Sequence, residues 1–281
     1  MLVELAIGDA YGAGFEYVSP QIVRQNNDLT TYFQHPRHLS IKPGQYTDDT
    51  QMSIAVAELL LAGLEWTPLN IATYFLRVFK RDPREGYASR FYQFLVDTQD
   101  GPTFLQHIKP YSDKSGAAMR AGPIGLLVDE QQVIEYATLQ AKVTHDTPGG
   151  IHSAVAAALM VHYFLYQLGS KEELGEYLLS KVPGEWATVW RGRVGHKGVD
   201  AVQAAVTAII QHRSLSSILH QCISYTGDVD TVATIAMAAA SCTSDIEHDL
   251  PASLYQNLEK GPYGLDYLHQ LNDSLMLFEK K

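Results

Sequence analysis

The chain has 281 residues, of which 46% are hydrophobic and 19% charged, a balance that excludes a disordered chain and suffices for one large folded domain. Its 21 basic and 31 acidic residues give a formal net charge of −10, so the sequence lacks the basic surface of a nucleic-acid-binding protein. Two cysteines are too few for a disulfide framework, and neither a basic leader nor an apolar run of about 18 residues is found, which predicts a cytoplasmic protein that does not cross a membrane.

The first recognisable motif is IGDAYGAGFEYV at residues 7–18, where small residues surround Asp9 and precede Glu16. These small residues predict turns or close packing between helices. Asp9 is a candidate helix cap or hydrogen-bond anchor, and Glu16 by itself could be an ordinary surface residue. Taken alone, this motif predicts no chemistry.

Beyond the first motif, apolar residues recur with the period of an α-helix. The pattern predicts helices over residues 50–64, 68–80, 130–142, 149–168, 171–181, 199–212, 214–224 and 231–243. Alternation typical of strands is scarce. The longer connections are rich in glycine, proline and charged residues, as functional loops often are, and they cover residues 19–46, 81–87, 97–123 and 183–198. We therefore predict an all-α fold that forms one compact domain over residues 1–281.

Two of the predicted helices begin with more carboxylates than a helix start uses. The first begins at TDDT, residues 47–50, and the second at GDVDT, residues 227–231. An acidic or hydroxyl side chain caps the first backbone N–H groups of a helix, so Asp49 or Thr50 would cap the first helix and Asp230 the second. The remaining acids have no lysine or arginine nearby in the sequence to neutralise them.

A divalent cation would account for these surplus carboxylates. If the two helix starts face each other, four carboxylates and several hydroxyls converge and repel one another. Magnesium, manganese and calcium prefer oxygen ligands, and such a set can hold two ions with a bridging carboxylate. The histidines and cysteines do not occur at zinc-site spacing, which favours a site built from oxygen atoms alone.

Five motifs, in order along nearly the whole chain, resemble those of the ADP-ribosylglycohydrolases. They are GDAYGAGFEYV at the start, YTDDTQMSIAVAE, SGAAMRAGPIGLL at 115–127, THDTPGGIHSAVAAAL at 144–159 and GDVDTVATIAMAAAS at 227–241. The family includes the ADP-ribosyl-arginine hydrolases and the dinitrogenase reductase-activating glycohydrolase. The resemblance implies an orthogonal bundle of helices with a binuclear magnesium or manganese centre in a cleft.

The resemblance also implies roles for individual residues. Two Mg²⁺ or Mn²⁺ ions would be held by Thr47, Asp48, Asp49, Asp228, Asp230 and Thr231. Glu16 resembles the mobile acidic residue that lies beside the metals in this family, and the candidate catalytic residues are Glu16, Asp48 and Asp230. Either Glu16 or a metal-bound aspartate would take a proton from the attacking water, and the sequence leaves both open.

The two middle motifs are expected to bind the nucleotide part of the substrate. The candidate substrate-binding residues are Ser115, Gly116, Ala118, Met119 and His145. Gly116 lies among small residues, so backbone amides could approach a diphosphate closely. Relatives commonly have asparagine where this chain has Ser115. Met119 is alternatively a core residue, and His145 contacts phosphate or ribose unless it is structural.

Four further residues carry weaker predictions. Arg120 is expected in a buried ion pair rather than on a phosphate, and Tyr87 and Tyr111 are candidates for stacking on adenine. Pro148 fits the first position of a helix that starts near residue 147.

The function implied by the family is hydrolysis of the bond between C1 of the distal ribose of ADP-ribose and an acceptor atom, which releases ADP-ribose. The partner would be an ADP-ribosylated protein or another ADP-ribose conjugate. Arginine is the preferred acceptor, and serine, a nucleobase and an acetyl group stay open. An inactive binding or structural protein is disfavoured because Glu16, both acidic motifs and His145 are retained. A metal-dependent phosphoesterase is disfavoured by the lack of additional histidines.

Overall fold

The computed structural model describes residues 1–278, and its named elements are helices. We number the α-helices in chain order: α1 Leu2–Ala13, α2 Pro20–Asn26, α3 Asp48–Leu61, α4 Pro68–Arg81, α5 Ser89–Asp97, α6 Gly101–His107, α7 Glu130–Lys142, α8 Pro148–Leu165, α9 Leu174–Lys181, α10 Gly198–Gln211, α11 Leu215–Ser224, α12 Val229–Ala240, α13 Ala252–Asn257 and α14 Leu265–Phe278. Short 3₁₀ turns occur at Ser115–Ala117, Gly122–Leu126 and Lys171–Glu173. None of the helices in residues 1–278 has both the length and the apolar character that crossing a bilayer requires.

The all-α prediction is confirmed, and each helix predicted from periodicity is present. Pro148 is the first residue of α8, and the side chain of Thr147 caps that helix, as expected. Of the two alternatives for the small residues of the opening motif, close helix packing holds for Gly8 and Gly12 within α1, and a turn follows at residues 14–17. Helices α2 and α6 lie within the predicted connections 19–46 and 97–123. One domain over residues 1–281 stays a prediction, and residues 279–281 lie outside the described part of the chain.

Helix α1 packs against α12 almost backbone to backbone. A Cβ atom at Gly8 would lie 2.6 Å from the carbonyl oxygen of Ala233, and one at Gly12 would lie 2.3 Å from the Cα of Asp230. Real Cβ atoms do not approach other atoms so closely, so only glycine permits this spacing. The contact at Gly12 places the start of α12, which carries the second acidic motif, directly on α1.

Helix α3 receives its N-terminal cap from α1 rather than from its own residues. Asp9 accepts hydrogen bonds from the backbone N–H and hydroxyl of Thr47, with the hydroxyl at 2.7 Å, and from the N–H and hydroxyl of Thr50 at 2.9 and 2.6 Å. The N-cap residue of α3 is Thr47, so the predicted cap at Asp49 or Thr50 is wrong. The N-cap residue of α12 is likewise Asp228 and not Asp230. Because Asp9 caps α3, Asp48 and Asp49 remain surplus to the cap.

Replacing Gly8 with alanine tests the close packing of α1 on α12. We expect Gly8→Ala to lower the free energy of unfolding by about 1–3 kcal/mol, because the added methyl group overlaps the backbone at Ala233. Gly149→Ala is the matched control: it also lies in a helix, and its Cβ would meet its nearest neighbour at 3.6 Å. Equal urea midpoints for Gly8→Ala and the wild type would contradict the packing argument.

Replacing Asp9 with asparagine tests the cap of α3. The amide NH₂ of asparagine would face N–H and O–H donors, so we expect a loss of at least about 2 kcal/mol of unfolding free energy. Asp100→Asn is the control. Asp100 is the N-cap residue of α6, and its side chain accepts a hydrogen bond from the N–H of Thr103. Asparagine fills this N-cap role equally well. The prediction fails if urea denaturation gives both variants the same stability.

Candidate active site

The two acidic motifs, far apart in the sequence, meet on helix α1. Glu16 follows α1, and its carboxylate offers an oxygen within 4.8 Å of oxygens from Asp228 and Asp230. Burial raises the pKa of Asp49 and the charge of Asp228 contributes to this rise, so the start of α3 adjoins the start of α12. Glu16, Asp228 and Asp230 thus form the centre of one carboxylate cluster, and Asp48 and Asp49 at the start of α3 lie close enough to interact with it by charge.

Charge repulsion and burial both act on the carboxylates of this cluster. Burial, followed by the nearby charges of Asp9 and Glu16, raises the pKa of Asp48 well above its usual value. Burial raises the pKa of Asp230 in the same way, with Glu16 and Asp228 as the main charged neighbours. These carboxylates resist ionisation because burial and the neighbouring negative charges both disfavour the charged form.

Glu16 shows the same effect. Burial, followed by the charges of Asp228 and Asp9, raises the pKa of Glu16 to about 7, while the charge of Arg37 acts in the opposite direction. A carboxyl group in this environment ionises far more readily when a cation is bound beside it.

Two buried oxygens of the cluster, Asp49 Oδ2 and Asp230 Oδ1, have no hydrogen-bond partner among residues 1–278. A buried polar atom without a partner costs free energy, and such atoms are rare in native proteins. Oxygen atoms that lack donors and repel one another match the requirements of a hard divalent cation. The residues present therefore fit Mg²⁺ or Mn²⁺.

The backbone around Glu16 is fixed from two sides. His35 Nδ1 accepts hydrogen bonds from the N–H groups of Arg37 and His38, so its Nε2 carries the proton and donates to Glu16 O at 2.8 Å. Tyr17 adopts the left-handed conformation, with φ of 50°, and donates its N–H to Gly227 O at 2.8 Å. A strained residue of this kind is common at functional sites. Sequence reasoning missed His35, because no spacing pattern links it to Glu16.

The connection that precedes α5 approaches the cluster at Gly86. A Cβ atom at Gly86, which has φ of +114°, would lie 2.2 Å from Asp48 Oδ1. Only glycine can hold the chain this close to the carboxylate. Gly86 is therefore a second residue that sequence reasoning missed, and its signal is a glycine inside the predicted connection 81–87.

The predicted nucleotide-binding motif lies beside the acidic cluster. Ser115 donates a hydrogen bond to Asp228 Oδ2 at 3.0 Å, which joins the 3₁₀ turn Ser115–Ala117 to the second acidic motif. Gly116 adjoins His145, because a Cβ atom there would lie 3.0 Å from the imidazole Cε1. The side chains of Ala118 and Met119 are buried, and both of their N–H groups bond to Ser115 O. A role for Ala118 and Met119 in binding substrate stays a prediction.

The ion pair expected for Arg120 is absent among the described residues. Its guanidinium is fully buried and donates instead to Gln140 Oε1 at 2.7 Å and Thr144 Oγ1 at 2.7 Å. The same group lies over the ring of Phe75, with 4.2 Å between the guanidinium carbon and the ring centroid. Neutral acceptors and an aromatic face thus replace the predicted carboxylate.

The two tyrosines considered for adenine stacking lie in different surroundings. Tyr87 is buried, donates to Gln51 Oε1 at 2.7 Å and packs edge-on against Phe79, so its ring is part of the core. Tyr111 is 78% exposed. It lines a groove of about 550 Å³ together with Asp113, Thr147, Pro148, Gly149, Lys197 and Val199. Of the two, only Tyr111 offers a face to a ligand.

The whole chain, residues 1–281, matches the family model described as ADP-ribosylglycohydrolase. Over 262 residues it is 26% identical to the ADP-ribosyl-[dinitrogen reductase] glycohydrolase of Rhodospirillum rubrum, covering 91% of this chain and 87% of the relative. In an alignment of 321 positions, which includes gaps, it is 27% identical to the ADP-ribosylhydrolase ARH3 of Homo sapiens, and the alignment covers 90% of this chain and 86% of the relative. A solved ADP-ribosylglycohydrolase-related protein complex matches the fold with a TM-score of 0.77 at 20% identity, covering 99% of this chain and 96% of the other. The predicted helical bundle is confirmed, and the chain belongs to the ADP-ribosylglycohydrolase family.

Proposed function

We propose that this protein is a metal-dependent hydrolase that cleaves the glycosidic bond between ADP-ribose and an acceptor. The observation that carries the proposal is the buried carboxylate cluster at the starts of α3 and α12, in which Asp49 Oδ2 and Asp230 Oδ1 find no hydrogen-bond partner in the part of the chain that the structure describes. A divalent cation would neutralise this cluster and give these oxygens a ligand. The adjoining turn and imidazole supply a place for the diphosphate.

The cluster divides into ligands and a candidate base. The residues that would hold two Mg²⁺ or Mn²⁺ ions are Thr47, Asp48, Asp49, Asp228, Asp230 and Thr231. Thr47 suits this role because its hydroxyl hydrogen points to Asp9, which leaves an oxygen lone pair for a cation. When bound, such ions supply Lewis-acid activation of water and of the ribose hydroxyls.

Glu16 is the candidate that would accept the proton of the attacking water, with Asp48 and Asp230 as the other acids close enough to do so. Its main chain is held by His35 on one side, and Tyr17 N–H binds Gly227 O on the other. A base fixed in this way keeps its position relative to the two acidic motifs. The leaving acceptor and free ADP-ribose are the products.

The acceptor that we propose is an arginine side chain of a modified protein. A cationic guanidinium is attracted by an acidic cleft on a chain of net charge −10. Serine-linked, nucleobase-linked and acetyl-linked ADP-ribose are the alternatives that the assay below distinguishes. No nucleic acid and no membrane surface is proposed as a partner, because the chain is acidic overall.

The proposed metal site predicts that Asp49→Asn changes the stability of the protein in opposite directions with and without metal. Without metal, Asp49→Asn is expected to be more stable than the wild type, because it replaces a carboxyl group whose ionised form burial and the neighbouring acids disfavour. With Mg²⁺ or Mn²⁺ at about 100 times the dissociation constant, the wild type gains about 2.7 kcal/mol, and the variant gains less. Asp273→Asn, at an exposed position on α14, is the control. Equal metal-induced shifts in the melting temperatures of Asp49→Asn and the wild type would exclude Asp49 as a ligand.

Release of ADP-ribose tests the reaction itself. We expect the wild type with Mg²⁺ or Mn²⁺ to release ADP-ribose from an arginine-linked substrate, and we expect chelator to stop the release. Asp48→Asn and Asp230→Asn should each lower the rate at least about 100-fold while the circular dichroism spectrum stays that of the wild type. Serine-linked and acetyl-linked substrates are assayed in parallel to identify the acceptor.

Two results would overturn the proposal. Near-normal activity in both aspartate variants would show that the cluster does not carry the reaction. Binding of ADP-ribose without release from any conjugate would instead indicate a binding protein that has kept the fold and the site.

A further inference from the structure

A buried polar network connects the core of the protein to His145. It consists of Arg120, Gln140, Thr144 and His145, whose side chains are 1%, 0%, 4% and 8% exposed, and we call it the Arg120 network. Arg120 donates to Gln140 and Thr144, and Thr144 Oγ1 lies 2.6 Å from His145 Nδ1. The proposed function uses only the last member of this chain, which leaves the other three without a role.

The donors and acceptors of the network fix which nitrogen of His145 carries the proton. A guanidinium can only donate, so Thr144 Oγ1 accepts from Arg120 and its own hydrogen must find an acceptor elsewhere. Among the described residues, the structure gives this hydrogen no acceptor other than His145 Nδ1. His145 Nδ1 therefore accepts, and in the neutral ring the proton lies on Nε2.

His145 is held in the neutral form. Burial, followed by the positive charge of Arg120, lowers the pKa of His145 to about 3. A neutral imidazole offers one donor and one acceptor, so its tautomer decides which of them a ligand meets. A Cβ atom at Gly116 would lie 3.2 Å from His145 Nε2, so this nitrogen faces the turn that adjoins the acidic cluster.

The network has a second arm that ends on the same turn. Gln140 Oε1 accepts from Arg120 Nε, which fixes the orientation of the amide, and Gln140 Nε2 then donates to Ala117 O at 2.9 Å. Arg120 therefore acts through Gln140 on the turn Ser115–Ala117 and through Thr144 on the imidazole. Both the turn and the imidazole that packs against it therefore depend on one buried guanidinium.

We propose that Arg120, Gln140 and Thr144 are positioning residues that hold His145 in its Nε2–H tautomer above Gly116, so that the cleft presents a hydrogen-bond donor to a phosphate oxygen of the substrate. This inference rests on the proposed function for the identity of the ligand. The opposite tautomer would direct a lone pair at the phosphate oxygen and repel it.

The tautomer can be measured directly in the ligand-free protein by ¹⁵N NMR of the histidine rings, because protonated and unprotonated ring nitrogens have well-separated shifts. The signals of His145 are identified by their loss in His145→Gln. We expect Nε2 to carry the proton in the wild type and in Thr144→Ser, which keeps the hydroxyl. In Thr144→Val the ring loses its fixed tautomer, so both nitrogens should shift towards average values.

Binding of ADP-ribose should follow the tautomer. If the competent tautomer falls to between one half and one fifth of the population, the dissociation constant of Thr144→Val rises about two- to fivefold, and Thr144→Ser restores it. Thr98→Val is the control: Thr98 is also buried and donates its hydroxyl to a backbone carbonyl, Phe94 O, at the end of α5. It should change neither the His145 signals nor the dissociation constant.

An Nδ1–H tautomer in the wild type would overturn the inference, and this measurement needs no variant that folds poorly. Unchanged His145 signals in Thr144→Val would overturn it as well. If the wild type shows the Nε2–H tautomer but does not bind ADP-ribose, the proposed function and the assigned ligand are wrong, while the role of Thr144 in fixing the tautomer is supported.

Discussion

The arrangement of this site depends on one carboxylate, that of Asp9. It lies on α1, it is buried, and it accepts four different donors from Thr47 and Thr50 at the start of α3. Burial raises its pKa, while the hydrogen bonds from Thr50 and Thr47 oppose that shift by favouring the charged form. Helix α3 thus begins where α1 dictates, and the acids that follow its cap are left for other use.

The contact between α1 and α12 completes the same alignment. Gly12 of α1 contacts Asp230 of α12. Asp9, which lies less than one helical turn before Gly12 on α1, caps α3. Helices α3 and α12 are in this way both held against α1. Two buried polar groups of opposite character border the resulting cleft. The side chains of Arg120, Gln140 and Thr144 have their hydrogen bonds satisfied within the protein, whereas the carboxylate cluster has oxygens without a partner in the described part of the chain, and its members repel one another. The first rigidifies the fold, and the second gives up stability for ligand binding.

The sequence predicts those features whose cause is local. Helices with an amphipathic period, such as α4 and α7, are recognised almost to the residue, and the surplus of acids over caps indicates that the two motifs need a shared partner. Helix α1 is not recognised from periodicity because it is buried on nearly all sides and so lacks that period. The cap of α3 and the role of His35 depend on residues distant in the chain, which no local pattern reveals. The neutral partners of Arg120 are of the same kind, since Gln140 and Thr144 lie beyond its own segment.

The pairing of α1 with α12 has a consequence for synthesis of the chain. Helix α1 ends at Ala13, and α12 begins at Val229. At about 5–20 residues per second, a ribosome needs roughly 10 to 40 s to make the intervening chain. During this time α1, which is almost wholly apolar, lacks the helix that covers Gly8 and Gly12 in the folded protein. The site therefore assembles only after nearly the whole chain has been made.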